Sequence, residues 1–312
     1  MRKHLSLVLS TAFAMLLISF YGCNNSGSSS DARVLKFNLQ KGKTYDFEIV
    51  MDMDQEVMQQ KNKIGFIAAY GMTVTDDDGK VKSLTAEYKD FKMKMSMMGQ
   101  EINIDGAKKP VQLDNSSQQN DPSAMLANAF SGIIGKKFYL KVDEVGNILE
   151  VTGFQELING MIAAMNLPDE ARLMVEASLK DQFNAEKIKE SFAAMFNIYP
   201  GKEIKPGDSW ERIYELKIGM GAKYTTQYTV KSFDGDKVLL DTKTKIDPIA
   251  DTSAANTFGG MQMSGTQSGP MTINSKSGLV LDAELVQNLE TSSGDLKMKM
   301  IGKTKMKGKE RN

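Results

Sequence analysis

The sequence predicts a mainly β fold of the α+β class. In this prediction two related antiparallel β-meander halves form curved sheets or an open barrel, and a helical segment between the halves packs on the concave face. Three observations predict it. Apolar and polar residues alternate with period two along most of the chain, three segments recur in the same order in two parts of the chain, and apolar residues recur at helical spacing between those parts.

These patterns divide the chain into consecutive segments. They are a signal peptide (1–22), a lipidated cysteine with a flexible tether (23–33), a first β half (34–154), a helical insert (155–197), a second β half (198–307) and a tail (308–312). Because 41% of the 312 residues are apolar and 25% are charged, the halves are large enough for one large domain or two intimately packed ones.

The N-terminus has the organisation of a secretion signal. Arg2 and Lys3 precede an almost wholly apolar run at 5–20, which is shorter than the roughly 20 residues of a confident membrane span. The following stretch, LLISFYGC, resembles the lipobox of bacterial lipoproteins, in which the cysteine after the cleavage site receives diacylglycerol and an N-terminal acyl chain such as palmitate. Gly22 and Cys23 fit this pattern.

The lipobox resemblance implies that Cys23 anchors the protein in a membrane. Phe20 and Tyr21 depart from the commonest pattern, which has a leucine and a small residue at these positions. The alternative is an ordinary signal peptide followed by a free or core cysteine. Residues 24–30 are too polar to order themselves and are predicted to form a tether. Since this tract opens with two asparagines and no acid, the expected location is the outer membrane, facing the periplasm.

Removal of the signal peptide limits the chemistry of the mature chain. His4 is the only histidine and Cys23 the only cysteine, which excludes Ser-His-Asp and Cys-His catalysis and the usual zinc sites. Asp76, Asp77 and Asp78 lie in the predicted turn TDDDGK, where acids are usually solvated. We therefore expect no enzyme, no metal site and no cofactor.

The charge of the chain argues against a nucleic-acid partner. The sequence has 39 basic and 39 acidic residues. Loss of Arg2 and Lys3 with the signal peptide leaves 37 basic against 39 acidic residues, a net charge of −2. A nearly neutral chain has no global attraction for a polyanion.

Period-two alternation predicts strands in the first half. The segments LKFNLQ (35–40) and 45–53 alternate apolar with mostly polar residues. Two further strands, at 65–75 and 80–98, are joined by the Asp-Gly turn of TDDDGK, which is a strong hairpin signal.

Three recurring segments relate the two halves. KGKTYDFEIV, from Lys41, is echoed by KPGDSWERIYEL, from Lys205. DDDGKVKSLTAEYKDFKMKM is echoed by FDGDKVLLDTKTKI, and VDEVGNILEVTGF by NSKSGLVLDAELV. The polar stretches 106–128 and 248–269 occupy corresponding places in the halves and are predicted to be loops.

The segment between the halves predicts helices. Apolar residues from Leu157 to Met165 share one face of a short helix, and Pro168 opens the next. A further helix is capped by Asn184 and runs to Phe196. Their apolar stripes are expected to cover a sheet face.

Methionines alternate with lysines in two predicted strands, FKMKMSMMG (91–99) and LKMKMIGKTKMKG (296–308). One face of each strand is therefore apolar and the other basic. Core packing, a hydrophobic cavity and a Cu(I) site of thioether ligands all fit this pattern, and copper is the least favoured because no histidine or cysteine accompanies the methionines. The candidate cavity residues are Phe91, Met93, Met95, Met97, Met161, Met165, Leu296, Met298 and Met300.

Most of the mature chain resembles an uncharacterised family of cell-envelope lipoproteins of Gram-negative bacteria, a domain of unknown function. The lipobox, the Ser/Asn tether, the opening LKFNLQKGKTYDFEI and the stretch PGDSW (206–210) carry this resemblance. It implies a location in the cell envelope. The predicted architecture is also similar, at a distance, to the half-barrel of lipoprotein carriers.

These observations favour one function and keep a second open. The first is a non-enzymatic, lipid-anchored protein that holds an apolar ligand, such as a lipid or an acyl chain, between sheet and helices. The second is a structural or interaction protein, a scaffold that presents loops or basic strand faces to another envelope component. The expected partners are the membrane, through the anchor, and either the hydrophobic ligand or an envelope protein.

Overall fold

Antiparallel strands dominate the computed structural model, which describes residues 32–57, 60–97, 100–108, 122–182, 184–217, 221–249, 262–293 and 296–311. The strands are β1 (Arg33–Val34), β2 (Thr44–Val57), β3 (Gln60–Asp77), β4 (Val81–Met97), β5 (Gln100–Asp105), β6 (Lys137–Asp143), β7 (Ile148–Thr152), β8 (Glu203–Ile204), β9 (Ser209–Leu216), β10 (Ala222–Asp234), β11 (Lys237–Pro248), β12 (Gln262–Asn274), β13 (Val280–Ser293) and β14 (Leu296–Glu310). The helices of the described part are α1 (Pro122–Ser131), α2 (Phe154–Met165), α3 (Asp169–Gln182) and α4 (Ala185–Phe196). The predicted mainly β fold with helices between strands is confirmed.

Both predicted meanders lie in one sheet. Its strand order is β7-β6-β4-β3-β2-β14-β13-β12-β11-β10-β9, and β5 pairs with the second half of β4. Strand β14 joins the two meanders because it pairs with β13 on one side and β2 on the other. The sheet is open, since β7 and β9 end it. Strands β1 and β8, which precede the two meanders, pair with each other in a small second sheet.

Helix α4 lies against both edge strands of the open sheet, β7 and β9. Asn184 begins the helix as predicted, because its side chain accepts a hydrogen bond of 3.0 Å from the backbone N–H of Lys187. One stripe of the helix, formed by Ile188, Phe192 and Phe196, is buried. The helix therefore closes the apolar interior between the two edges.

Polar groups of α4 and the residue after it also satisfy the backbone at the β9 edge. The Glu190 carboxylate accepts from the backbone N–H of Lys217 at 3.2 Å, and Asn197 Nδ2 donates to the Ile213 carbonyl at 3.4 Å. An uncovered edge strand is a template for pairing with another chain. Helix α4 therefore covers the β9 edge in addition to packing against the apolar interior of the sheet.

The other helices pack on one another and on the sheet, where α1 contacts β5 and α2 contacts β6. Helix α2 buries Leu157, Ile158 and Ile162 and touches the end of α1, where a Cβ at Gly132 would lie 2.2 Å from the Gly160 carbonyl oxygen. Helix α3 contacts α2 and is mostly exposed. None of the described helices is long and apolar enough to cross a membrane.

The prediction of a strand at 35–40 is wrong, although its apolar residues are buried as the alternation predicts. These residues are Leu35, Phe37 and Leu39. The backbone N–H of Phe37 donates to the Glu144 carbonyl at 2.8 Å, and that of Asn38 donates to the Ser277 carbonyl at 2.9 Å. The acceptors belong to the β6–β7 and β12–β13 turns. The segment is extended but bonds to two turns instead of a neighbouring strand. We call the end of the sheet with these turns the lower end.

Both predicted loops contain regular structure. Helix α1 occupies the end of 106–128, where the Phe130 ring stacks on Phe91 at 3.7 Å. Strand β12 begins at Gln262 and pairs on both sides, so the end of 248–269 belongs to the sheet. Backbone pairing overrides the polar composition of these stretches. Residues 109–121 and 250–261 of these stretches, the signal peptide and Cys23 lie outside the described residues.

The main core fills the lower end of one face, which we call the inner face. Aromatic rings connect β2, β3, β4, β6 and α4 across it. The successive pairs are Phe47–Tyr70 (5.9 Å), Tyr70–Tyr88 (6.1 Å), Tyr88–Phe138 (5.8 Å) and Phe138–Phe192 (5.3 Å) between ring centroids. Burial raises the pKa of the Tyr70 hydroxyl, which donates to the Met195 sulfur of α4 at 3.5 Å.

Candidate ligand-binding surface

The space between the sheet and α4 is almost completely filled. An apolar cleft separates Phe47, Ile49 and Tyr70 of the sheet from Met195 and Phe196 of the helix. Its free volume of about 10 Å³ is what one water molecule occupies. An acyl chain does not fit there, and accessible apolar surface lies higher on the inner face.

Ten inner-face residues lie side by side across the sheet above this core. Successive antiparallel pairs bring them into register from β5 to β9. We call this series the central row: Ile102, Met95, Ile64, Met53, Gly302, Gln287, Gln267, Thr244, Thr226 and Arg212. Since neighbouring strands are about 4.8 Å apart, the row is a strip of neighbouring side chains with a gap at Gly302, which has none.

The half of the central row on β5, β4, β3 and β2 is apolar and only half-buried. The half-buried side chains are Ile102, Met95, Ile64 and Met53 in the central row and Met93, Phe66 and Met51 in the row beneath it. Methionine adapts its shape to varied apolar partners. This half is therefore an apolar surface whose burial is incomplete.

The half of the central row on β13, β12, β11 and β10 is polar. The hydroxyls of Thr226 and Thr244 are buried and hydrogen-bonded to each other at 2.9 Å. Gln267 and Gln287 are half-buried, and their amides have no hydrogen-bond partner among the described residues. The nearby Thr304 hydroxyl is buried without a partner in the same part of the chain. The Thr304 hydroxyl is thus an unsatisfied buried group, and the two amides beside it are half-buried groups without a protein partner in the described part of the chain.

Arg212 ends the row on β9, and its charge is directed toward the lower end. The guanidinium donates to the carbonyl oxygens of Tyr199 and Val145, while its Nε is buried without a partner in the described part. Burial lowers the pKa of Arg212. The backbone carbonyls, and not a carboxylate, hold this cation.

A second apolar cluster lies above the polar half of the row. It consists of Ala222, Ile246, Met263, Leu289 and Met300, with Met53 and Tyr224 packed against it. The Tyr224 ring stacks on Tyr214 at 4.8 Å. Burial raises the pKa of Tyr224 to about 12 and also raises that of Tyr214, so both hydroxyls are neutral at physiological pH. The polar side chains are therefore enclosed between two apolar regions.

The structure divides the predicted cavity residues among several places. Met93, Met95 and Met298 are half-buried on the inner face, and Met300 belongs to the second cluster. Phe91 is buried against the Phe66 and Phe130 rings. Met161 and Met165 are half-buried on α2, where Met161 packs against the main core. The side chains of Met97 and Leu296 lie outside the described residues.

Sequence reasoning missed the two glutamines. Gln267 lies in QMSGTQSGPM, a stretch predicted to be a loop, and Gln287 lies in the predicted second half without being singled out. A period-two signal is present, because Met263, Gln267 and Met271 share one parity on β12. Serine and glycine between them obscure it.

The three acids of TDDDGK are engaged in the turn. The Asp76 carboxylate pairs with Lys41 at 2.6 Å, and that of Asp77 pairs with Lys82 at 2.5 Å. Asp78 accepts from two backbone N–H groups of the turn. These partners lower the pKa of each carboxyl. No group of three or more His, Cys, Asp or Glu side chains that could hold a metal occurs among the described residues.

A groove of about 830 Å³ lies on the opposite, outer face of β14, β2, β3, β4 and β5. At its centre Gly65 stands in register between Asp52 and Lys94. Of the charged side chains that line it, Asp52, Asp54 and Lys63 form no ion pair within 4 Å with any described residue. The outer groove therefore has charges of both signs available to a partner.

Comparison with known proteins identifies a family and no characterised relative. A family described as of unknown function, DUF6263, matches residues 79–280. No curated protein matches the sequence.

Several solved structures are similar over most of the chain at very low identity. Lipovitellin, described for its lipid–protein interactions, is 7% identical with a TM-score of 0.48; the match covers 87% of this chain and 25% of that one, so the chain spans a quarter of its length. The translocator domain of the autotransporter NalP from Neisseria meningitidis is 6% identical, with coverages of 88% and 90% and a TM-score of 0.24. OccK5 of Pseudomonas aeruginosa is 8% identical, with coverages of 88% and 100% and a TM-score of 0.23.

Proposed function

The chain belongs to the DUF6263 family of unknown function, and we propose that it is a non-enzymatic, lipid-anchored binding protein of the cell envelope. Its ligand is an amphiphile with an apolar chain that lies along the central row. One observation carries the proposal: a single row of inner-face side chains is apolar and half-buried on one side of Gly302 and carries unpartnered amides on the other.

Burial of the ligand chain provides the affinity in this proposal. Each methylene removed from water contributes about 0.8 kcal/mol, and the half-buried methionines of β2 and β4 offer adaptable apolar contacts. The small free volume under α4 supports a ligand position on the inner face above the helix instead of one between helix and sheet.

The residue inventory supports a non-enzymatic role. The mature chain has no histidine, and its one cysteine is the residue assigned to the lipid. The acids of TDDDGK are occupied by lysines and backbone N–H groups of the turn, which removes the nearest candidates for carboxylate chemistry.

The lipobox-like LLISFYGC supports anchoring through Cys23 in the outer membrane, facing the periplasm. A diacylglycerol and a further acyl chain bind a membrane far more firmly than a single chain does. The polar tether then connects the anchor to the first described strand.

A Cys23→Ala variant tests the anchor. We expect wild type to partition into detergent and to incorporate labelled palmitate, whereas the variant remains an uncleaved precursor or is released as soluble periplasmic protein. A Ser28→Ala variant in the tether is the matched control and keeps the label. Wild type recovered soluble without label, or an alanine variant that is processed and stays membrane-bound, contradicts the anchor.

Isosteric changes in the central row test the ligand. Native mass spectrometry after mild extraction is expected to detect a bound hydrophobic molecule in wild type and to lose it in Met53→Gln/Met95→Gln, because a carboxamide replaces each thioether at similar volume. Met174→Gln on α3 makes the same change at a side chain that is 73% exposed and retains the ligand. Consistently empty wild type, or a double variant that binds as wild type does, contradicts the proposal.

The outer groove favours a scaffold as the second candidate function. Its unpaired charges of both signs suit a complementary protein surface. Gly65→Leu fills the groove without a clash, since the nearest atom to an added Cβ is Asp52 Oδ1 at 3.5 Å. A scaffold gives a stoichiometric protein partner on crosslinking in cells that Gly65→Leu removes, whereas a ligand carrier is crosslinked equally with and without the change.

A further inference from the structure

We infer that the ligand of the inner face has an uncharged, hydrogen-bonding head group, such as an alcohol, ester or amide, and is not a fatty-acid anion or a phospholipid. This inference rests on the proposed function and names the chemical class of its ligand. It is carried by three polar groups at the point where the apolar half of the central row ends: the half-buried amides of Gln267 and Gln287 and the buried hydroxyl of Thr304, none of which has a hydrogen-bond partner among the described residues.

These three polar groups are close together. Gln267 and Gln287 face each other across β12 and β13, where directly opposed side chains are about 5 Å apart. Gln287 Oε1 lies 3.4 Å from the position that a Cβ on Gly302 would occupy, so its amide borders the gap beside Met53. Thr304 follows two residues later on β14 and opposes Met51.

The hydrogen-bonding capacity of these groups matches that of an uncharged head group. A carboxamide offers both donors and an acceptor, and a hydroxyl offers one donor and two acceptor sites. An alcohol, ester or amide head satisfies such groups without bringing a charge into the interior. The buried Thr304 hydroxyl gains most from such a head, because a buried polar group without a partner carries a desolvation penalty that an exposed one does not.

The surroundings disfavour a charged head. Arg212 is the one charged side chain of the central row, and its guanidinium is bound to carbonyls near the lower end. It stands three strands from Gln267, about 14 Å at the usual strand spacing. An ionised head beside the glutamines has no opposite charge in that row and loses its hydration.

The apolar half of the row has the length for a long acyl chain. From Gly302 to Ile102 the row crosses four strand intervals, or about 19 Å. A long acyl chain covers this distance when extended. The head then reaches the glutamines while the chain lies over Met53, Ile64 and Met95.

Three probes with the same 18-carbon length test the inference by displacement of an apolar fluorophore: oleyl alcohol, oleyl sulfate and 1-octadecene. We expect oleyl alcohol to bind at least about tenfold more tightly than either of the others, the gain of about one satisfied hydrogen bond. Equal or tighter binding of oleyl sulfate overturns the inference. Failure of all three to bind overturns the proposed function itself, which separates the two results.

A double variant, Gln267→Leu/Gln287→Leu, locates the head group. We expect it to bind oleyl alcohol and 1-octadecene equally, because its apolar surface remains and its amides are gone. Gln227→Leu, at an exposed position on the outer face of β10, is the matched control and keeps the preference. The single change Gln287→Met serves if the double variant does not fold. A preference for the alcohol that survives the removal of the amides contradicts the inference.

Discussion

At the scale of single residues, the structure shows where the methionines of the Met-Lys strands point and what the acids of TDDDGK contact. Met93 and Met95 of β4 and the methionines of β14 face inward, and the described lysines beside them face outward, as period two requires. The acids of TDDDGK stabilise a hairpin: Asp77 pairs with Lys82, a lysine that is only 5% exposed. The described methionines of these strands thus lie on the inner face, and the acids of TDDDGK stabilise the turn.

Asp77→Asn is predicted to make stability less dependent on pH in acid. The hydrogen bond from the Lys82 ammonium, followed by a backbone N–H, lowers the pKa of Asp77 below its usual 3.8. A lowered folded-state pKa contributes stability above the unfolded pKa, and this contribution is lost as the pH falls through the folded value.

Urea unfolding at pH 7 and below pH 4 measures this effect. We expect the variant to be less stable than wild type at pH 7 and the two to converge at low pH. Asp208→Asn on the β8–β9 turn is a control for removing a turn acid. A constant difference between wild type and Asp77→Asn at all pH values contradicts the assignment.

Strand β14 shows how an element joins the two halves in one register. Its outward lysines stand opposite acids of β2, among them Lys303 opposite Asp52 and Lys307 opposite Glu48. Opposite charges across strands are favourable, whereas a slip by one residue would turn the lysines inward. The charge pattern therefore favours the observed register of β14 on β2.

Lys303→Glu is predicted to destabilise the junction by roughly 0.2–1 kcal/mol, since it places two carboxylates opposite each other. Asp52→Lys in the same chain restores the opposite-charge pair and is expected to recover most of the loss. Thermal unfolding at low and at high salt checks this, and the loss should shrink at high salt. Lys243→Glu on the exposed face of β11 provides a comparison away from the junction. Failure of the second change to rescue the first argues against register control by charge.

At the scale of the whole molecule, α4 bridges the two edges of the open sheet. It contacts the edge strands β7 and β9, and its Phe192 ring lies 5.3 Å from that of Phe138 in the main core. The helix thereby replaces a missing strand pairing by apolar packing and side-chain hydrogen bonds. The same helix leaves the inner face above it incompletely filled.

Phe192→Ala is predicted to destabilise the protein by about 3–5 kcal/mol, because it removes a buried aromatic ring and leaves a cavity beneath the helix. Weaker packing of α4 also exposes the sheet edges, so aggregation on heating is expected to increase. Leu173→Ala on α3, where the side chain is 64% exposed, is expected to change stability by less than about 0.5 kcal/mol. Chemical denaturation and light scattering give the two readouts; a loss at Phe192 as small as at Leu173 contradicts this role of α4.

Local patterns in the sequence predicted the fold class, most of the strands and the helices between the two halves with the Asn184 cap. They also predicted that the methionines share one face of their strands. Each of these features follows from the fixed periods of helices and strands. The sequence did not predict which strands pair with each other. Every backbone offers the same N–H and C=O groups, and the pairing is set by contacts between residues far apart in the chain. The bonding of 35–40 to two turns, the junction at β14 and the closure by α4 are of this kind. So is the candidate site: Met53, Gln267 and Gln287 meet in one row only because tertiary structure places β2, β12 and β13 in register through β14.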